Sequence, residues 1–149
     1  MKKLISLVLA LVMISLVAVS SFASVSEIER IYFEDGSFLT ITIQEMDSRA
    51  TGTKSGGKTY TFTNNSGDVA WKAVIVGTFT YTGTTAVCTN SSCDVTVYDS
   101  AWYEVSKTAG KSGATATCEL TMGHKVLGIT VSKKNVSMTL TCDANGNLS

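Results

Sequence analysis

The chain of 149 residues contains no proline and a single histidine, His124. After the first 23 residues, no window keeps an apolar period of 3.6 residues over three turns, so long amphipathic helices are not expected. Catalytic triads and zinc sites commonly use histidine, but His124 lies between Gly123 and Lys125, which is typical of a turn between strands. No serine lies in a G-x-S-x-G elbow. These absences argue against the common hydrolase arrangements.

Basic residues are too few and too scattered for a nucleic-acid-binding surface. The chain has 12 basic and 12 acidic residues, and without Lys2 and Lys3 its net charge is −2. Nucleic-acid-binding domains need a basic patch or stripe. The only other basic doublet, Lys133-Lys134, is explained by a solvated turn. We therefore expect no nucleic-acid partner, and for the same reason no anionic membrane surface as a partner.

The first residues, MKKLISLVLALVMISLVAVSSFAS, have the layout of a secretory signal peptide. Two lysines precede an apolar helical segment, Leu4–Val19, and Ser21-Phe22-Ala23 is a small-x-small cleavage site. The alternative is an uncleaved membrane anchor. The first cysteine is Cys88 and no proline is present, which argues against lipoprotein and sortase attachment. We expect a signal peptide over residues 1–23 and one secreted domain over 24–149, extracellular or associated with the cell surface.

Alternating apolar and polar residues after residue 27 predict strands separated by tight turns. Asp35-Gly36 and residues 64–68 mark hairpin turns, and residues 46–57 are expected to form a flexible loop. The expected later strands cover 69–82, 85–88, 93–98, 101–105, 114–122, 126–131 and 135–142. Short strands at this spacing indicate an all-β domain. The predicted fold is an antiparallel β-sandwich, immunoglobulin-like or Greek-key-like, after the N-terminal signal helix.

Residue parity assigns the core faces of these strands. Along residues 69–82, Trp71 and Phe79 share one face, and Gly77 between them suggests a bulge or bend. The core-facing rows of the later strands are Ala116, Cys118, Leu120 and Met122, and then Val136, Met138, Leu140 and Cys142.

Four cysteines, Cys88, Cys93, Cys118 and Cys142, admit several interpretations. Their spacing fits a zinc site poorly, and no C-x-x-C at a helix start suggests redox chemistry. Residues 89–92 are expected to form a hairpin loop, whose flanking cysteines would face each other. We therefore favour disulfides Cys88–Cys93 and Cys118–Cys142. The alternative is free thiols that pack as small apolar groups.

The stretch YDSAWYEVS provides the best candidates for ligand binding. Trp102 and Tyr103 are adjacent, so in a strand they face opposite sides, and one of them is expected at the surface near Tyr98 and Asp99. A flat exposed ring beside polar groups suits stacking on a sugar. The alternative is packing alone.

Other polar clusters support no chemistry of their own. DANGN at 143–147 has the oxygen-rich spacing of a calcium loop but lacks its glycine and glutamate positions, so a terminal turn is expected. Six acidic residues near the start of the domain are explained by solvated strand edges. The alternative is that two of them form the paired carboxylates that glycoside hydrolases use. We expect no metal, no cofactor and no catalytic residue. The six acidic residues near the start of the domain are Glu27, Glu29, Glu34, Asp35, Glu45 and Asp47.

Several runs resemble small secreted β-rich proteins of unknown function from Gram-positive gut anaerobes of the Clostridia type. They are WKAVIVGTFTYTG (71–83), YDSAW (98–102), SKTAGKSG (106–113), LTCDANG (140–146), YFEDGSFL (32–39) and TKSG (53–56). The resemblance implies a bacterial, exported protein and transfers no site. We expect a non-enzymatic extracellular binding or envelope-associated module whose partner is a cell-wall glycan, a host glycan or an extracellular protein. The alternatives are an assembly protein that adds strands at a sheet edge, and a secreted toxin, inhibitor or hydrolase.

Overall fold

The computed structural model describes residues 25–46 and 52–149; the predicted signal segment 1–23 and residues 47–51 lie outside them. The described chain is antiparallel throughout and forms a five-stranded and a three-stranded sheet. The expected antiparallel β-sandwich is confirmed. The eight strands are β1 (Val25–Tyr32), β2 (Phe38–Met46), β3 (Thr53–Thr63), β4 (Val69–Tyr81), β5 (Ala86–Val97), β6 (Trp102–Ser112), β7 (Thr115–Val126) and β8 (Ile129–Thr141).

The connectivity is a meander, which corrects the Greek-key-like expectation. In each sheet every strand pairs with its neighbour in sequence, β1 through β5 in one and β6 through β8 in the other. A Greek key needs a long return connection. Here no more than six residues separate consecutive strands, and residues 98–101 carry the chain from one sheet to the other. The two predicted turns at 33–37 and 64–68 close as hairpins, with backbone hydrogen bonds of 2.9 Å at each.

The core lies where the predicted apolar faces of the two sheets meet. The expected rows on β4, β7 and β8 are buried. Phe62 of β3 stacks on Trp71 with ring centroids 5.2 Å apart. The largest fully buried side chains are Trp71, Phe62, Phe79, Ile75, Leu120, Met122, Met138 and Leu140, with Cys118 and Cys142 among them.

The expected hairpin loop at residues 89–92 is wrong, because β5 runs through it without interruption. The long strand β4 pairs with all of β5, and its ladder holds these turn-prone residues extended. Thr78 pairs with Asn90 and Phe79 with Cys88, so Thr89 is an extra residue and forms a β-bulge. The bulge turns both Cys88 and Cys93 toward the core, although they are five residues apart.

The disulfide joins Cys93 to Cys118, with a Cα separation of 6.2 Å. Cys88 and Cys142 are buried free thiols. The favoured pairs Cys88–Cys93 and Cys118–Cys142 are therefore wrong. Along a continuous strand, five residues span about 16 Å, which is beyond the reach of a disulfide. Cys93 instead meets Cys118 across the two sheets.

The β7–β8 hairpin is longer than expected. Its turn lies at residues 127–128, so His124 belongs to β7, and Lys133-Lys134 lies within β8. The ladder between the two strands, which pairs residues 115–126 with residues 129–141, sets these limits. Similarly, residues 53–57 of the expected flexible loop begin β3, because all five pair with β4 and residues 55–57 pair with β2 as well.

Candidate ligand-binding pocket

A cavity of about 260 Å³ lies at one end of the sandwich, between the two sheets. Three connections border it: the β1–β2 turn, the β3–β4 turn and the passage from β5 to β6. The strands β3, β6, β7 and β8 contribute its walls. It therefore combines residues that are nearly 100 positions apart, from Asp35 to Lys134.

Aromatic rings form one wall of this pocket. Trp102 stacks on His124 with ring centroids 4.8 Å apart and an interplanar angle of 29°. The indole also packs on Phe62, with ring centroids 4.9 Å apart. Trp102 is only 8% exposed, because it begins β6 on the inner face of the sheet. The wall is therefore rigid, and it offers ring surface to a ligand mainly through the half-buried His124.

Lys134 and Asp35 bring opposite charges to the rim. Lys134 Nζ is 3.4 Å from Asp35 Oδ2 and 4.1 Å from the Phe33 ring centroid. The hydroxyl and the backbone N–H of Ser37 donate to Asp35 Oδ1. These bonds, with a smaller contribution from Lys134, lower the pKa of Asp35 below its ordinary value. Asp35 is consequently ionised at neutral pH, and Lys134 is held over the pocket.

Two Asx turns bring further polar groups to the pocket. Asp99 Oδ1 accepts the Ala101 N–H at 2.9 Å. Asn64 Oδ1 accepts the Ser66 N–H at 3.0 Å and the Asp68 N–H at 2.9 Å. These bonds fix the turn geometry and use one oxygen of each side chain. The second carboxylate oxygen of Asp99 and the amide nitrogen of Asn64 are not needed by the turns.

The four predicted ligand-binding residues do not form one surface. Trp102 and Asp99 line the pocket, but Tyr103 lies on the outer face of its sheet, across Gly123. The Tyr103 hydroxyl is 2.7 Å from the Thr130 hydroxyl. Tyr98 is exposed, and Lys72 Nζ lies 5.6 Å from its ring centroid. The expected division of Trp102 and Tyr103 between two faces is confirmed.

Sequence reasoning missed most of the pocket. Lys134 and His124 were both expected in turns, and Phe62 and Asn65 were not singled out. No local pattern marks these residues, since they converge only when β3, β7 and β8 meet at this end of the sandwich.

No group of three His, Cys, Asp or Glu side chains in residues 25–46 and 52–149 is arranged to hold a metal ion. Across the same residues, no helix has the length and apolar character to cross a bilayer. Comparisons with protein-family models, curated proteins and solved structures gave no match.

Proposed function

We propose that the protein is a secreted, non-enzymatic extracellular binding module, and that the pocket holds one sugar ring of a cell-wall or host glycan. The observation that carries this proposal is the combination of a stacked Trp102–His124 wall with ionised and amide groups on the rim. Sugar rings present apolar C–H faces and hydroxyls that both donate and accept hydrogen bonds. Lys134 and Asn64 supply donors, and Asp99 supplies an acceptor.

The size of the pocket favours a single ring. Pockets for drug-sized ligands occupy about 300–1,000 Å³, and this cavity of about 260 Å³ is slightly smaller. One sugar unit would fill it while the rest of a chain continued outside. Such a site binds a terminal or side-branch residue of a glycan.

The charge state of Asp35 bears on one alternative, glycoside hydrolysis. Glycoside hydrolysis needs one carboxylic acid whose pKa is raised, so that it can protonate the leaving group. The pKa of Asp35 is lowered by Ser37 and Lys134. Asp35 is therefore unsuited to the role of the general acid.

Substitution of the rim lysine tests the proposal. The probes are a printed panel of mono- and oligosaccharides and purified Gram-positive cell wall, followed by titration calorimetry with the sugar retained best. We expect Lys134→Gln to weaken binding roughly tenfold or more, because a hydrogen bond to a charged group contributes about 1.5–3 kcal/mol. Lys133→Gln, one residue away and exposed, is the matched control and should bind as the wild type does.

Trp102→Ala is a poor test, because Trp102 also packs on Phe62 and Trp71 in the core. Asp99→Asn is a better test of the pocket, since Asn keeps the oxygen that accepts the Ala101 N–H and so preserves the turn. If no probe is retained, or if Lys134→Gln and Lys133→Gln bind equally well, the proposed pocket function is wrong.

Open sheet edges favour a second candidate, assembly by strand addition. Among the described strands, β1 pairs only with β2, and β8 pairs only with β7. Edges without proline are templates for another strand. A mass in light scattering that rises with protein concentration, together with no glycan binding, would favour this candidate.

A further inference from the structure

The tip of the β7–β8 hairpin exposes four apolar side chains within six residues. Val126 is 50% exposed, Leu127 98%, Ile129 70% and Val131 55%. Isolated exposed apolar residues are normal, but a contiguous group of them marks a contact surface. Val126 pairs with Ile129, which places both on one face behind Leu127.

The backbone at the tip is also unusual for its sequence. Leu127 has φ of 50° and is the only non-glycine residue with positive φ in the described chain; Gly128 follows with φ of 81°. A two-residue turn with positive φ at both positions favours Asn-Gly or Asp-Gly. Leucine fits this position poorly and is fully solvated there. Neither local conformation nor burial favours leucine here, and an exposed apolar residue at such a position is typical of a contact surface.

The charges that the tip of the hairpin itself carries are of one sign. No acidic residue occurs between Glu119 and Asp143. Lys125 and Lys133 are exposed on the strands directly behind the apolar residues. Tyr103 lies beside them, with Lys125 Nζ 4.2 Å from its ring centroid. Lysine and tyrosine behind an apolar tip match the headgroup zone of a bilayer, where amphipathic side chains settle.

We propose that the β7–β8 hairpin tip inserts into the interface of an anionic lipid bilayer. The four apolar side chains of the tip would enter the acyl boundary, while Lys125 and Lys133 contact lipid phosphates. A bilayer is favoured over a protein partner because residues 125–130 extend past the start of β6, where Trp102 pairs with His124, and Leu127 is 98% exposed. The net charge of the chain suggested no membrane partner, but it averages over this locally basic segment. Binding of this kind is reversible, and it is independent of the proposed pocket function.

Sedimentation with lipid vesicles tests this proposal. The exported protein, with its N-terminus defined by mass, is mixed with phosphatidylglycerol–phosphatidylcholine vesicles and with pure phosphatidylcholine vesicles. We expect the wild type to bind the anionic vesicles and to be released by salt. Leu127→Asn should reduce binding roughly tenfold, the effect of removing one inserted aliphatic side chain. Its fold should be intact or more stable, since Asn suits positive φ.

Two matched valine-to-threonine substitutions test whether binding depends on the hairpin. Val131→Thr and Val87→Thr make the same change at side chains that are 55% and 51% exposed, but Val87 lies on β5, outside the hairpin. Only Val131→Thr should weaken binding. Any apolar N-terminal segment is common to all variants, so differences among them report on the hairpin. The proposal fails if the wild type does not bind anionic vesicles, or if Leu127→Asn binds them equally well; either result would favour a protein contact over a bilayer.

Discussion

At the scale of the residue, Gly77 shows how closely the two sheets approach. A Cβ atom at this position would lie 2.5 Å from the Phe79 ring and 3.2 Å from Ala116 Cβ of the opposite sheet. The expected irregularity occurs at the next residues, Thr78 and Phe79. We predict that Gly77→Ala lowers the free energy of unfolding by about 1–3 kcal/mol, the usual effect of overpacking. Urea denaturation would measure it.

Gly57 provides the control for this prediction. It lies on the neighbouring strand β3, opposite Val76, and a Cβ there would meet nothing closer than 3.6 Å. Gly57→Ala should be neutral or stabilising by about 0.5–1 kcal/mol, because alanine loses less backbone entropy on folding. Equal destabilisation by the two substitutions would contradict the packing argument.

At the scale of the element, β5 is the strand that ties the two sheets together. Its Cys93 is linked to Cys118 of β7, a sequence separation of 25 residues. A loop of this length stabilises the fold by about 3.5 kcal/mol in the chain-entropy model. We predict that the double change Cys93→Ala and Cys118→Ala lowers the free energy of unfolding by about that amount.

Peptide mass mapping without reduction provides the direct check. It should recover the Cys93 and Cys118 peptides as one linked species, with Cys88 and Cys142 alkylated only after unfolding, because both are buried. A linked Cys88–Cys93 species would contradict the structure.

At the scale of the whole molecule, the core that both sheets form contains three buried side chains that can lose a proton. Burial raises the pKa of the Cys88 and Cys142 thiols and of the Tyr60 hydroxyl. Above about pH 9, the ordinary pKa of a thiol, the unfolded chain loses protons that the folded chain retains. Stability is therefore complete below that pH and falls as pH rises through the higher pKa values of the folded state.

We predict that the urea midpoint of the wild type decreases between neutral pH and about pH 10. In the double variant with Cys88→Ala and Cys142→Ala, the midpoint should decrease less over the same pH range. The two slopes against pH are compared, because the substitutions also change the absolute stability by removing core volume. Identical slopes would show that the thiols are not responsible.

Much of this architecture was determined by the sequence alone. Alternation with a period of two is local, so it identified the buried faces of β4, β7 and β8, and Asp35-Gly36 marked a hairpin because it tolerates positive φ. The tertiary structure decided how far each strand continues and what converges at its ends. The ladder with β4 keeps residues 89–92 extended and the bulge turns Cys88 inward. The packing of the two sheets places Cys93 beside Cys118, and it places Asp35 of the β1–β2 turn beside Lys134 of β8. These outcomes depend on backbone pairing between distant segments, which no short stretch of residues encodes.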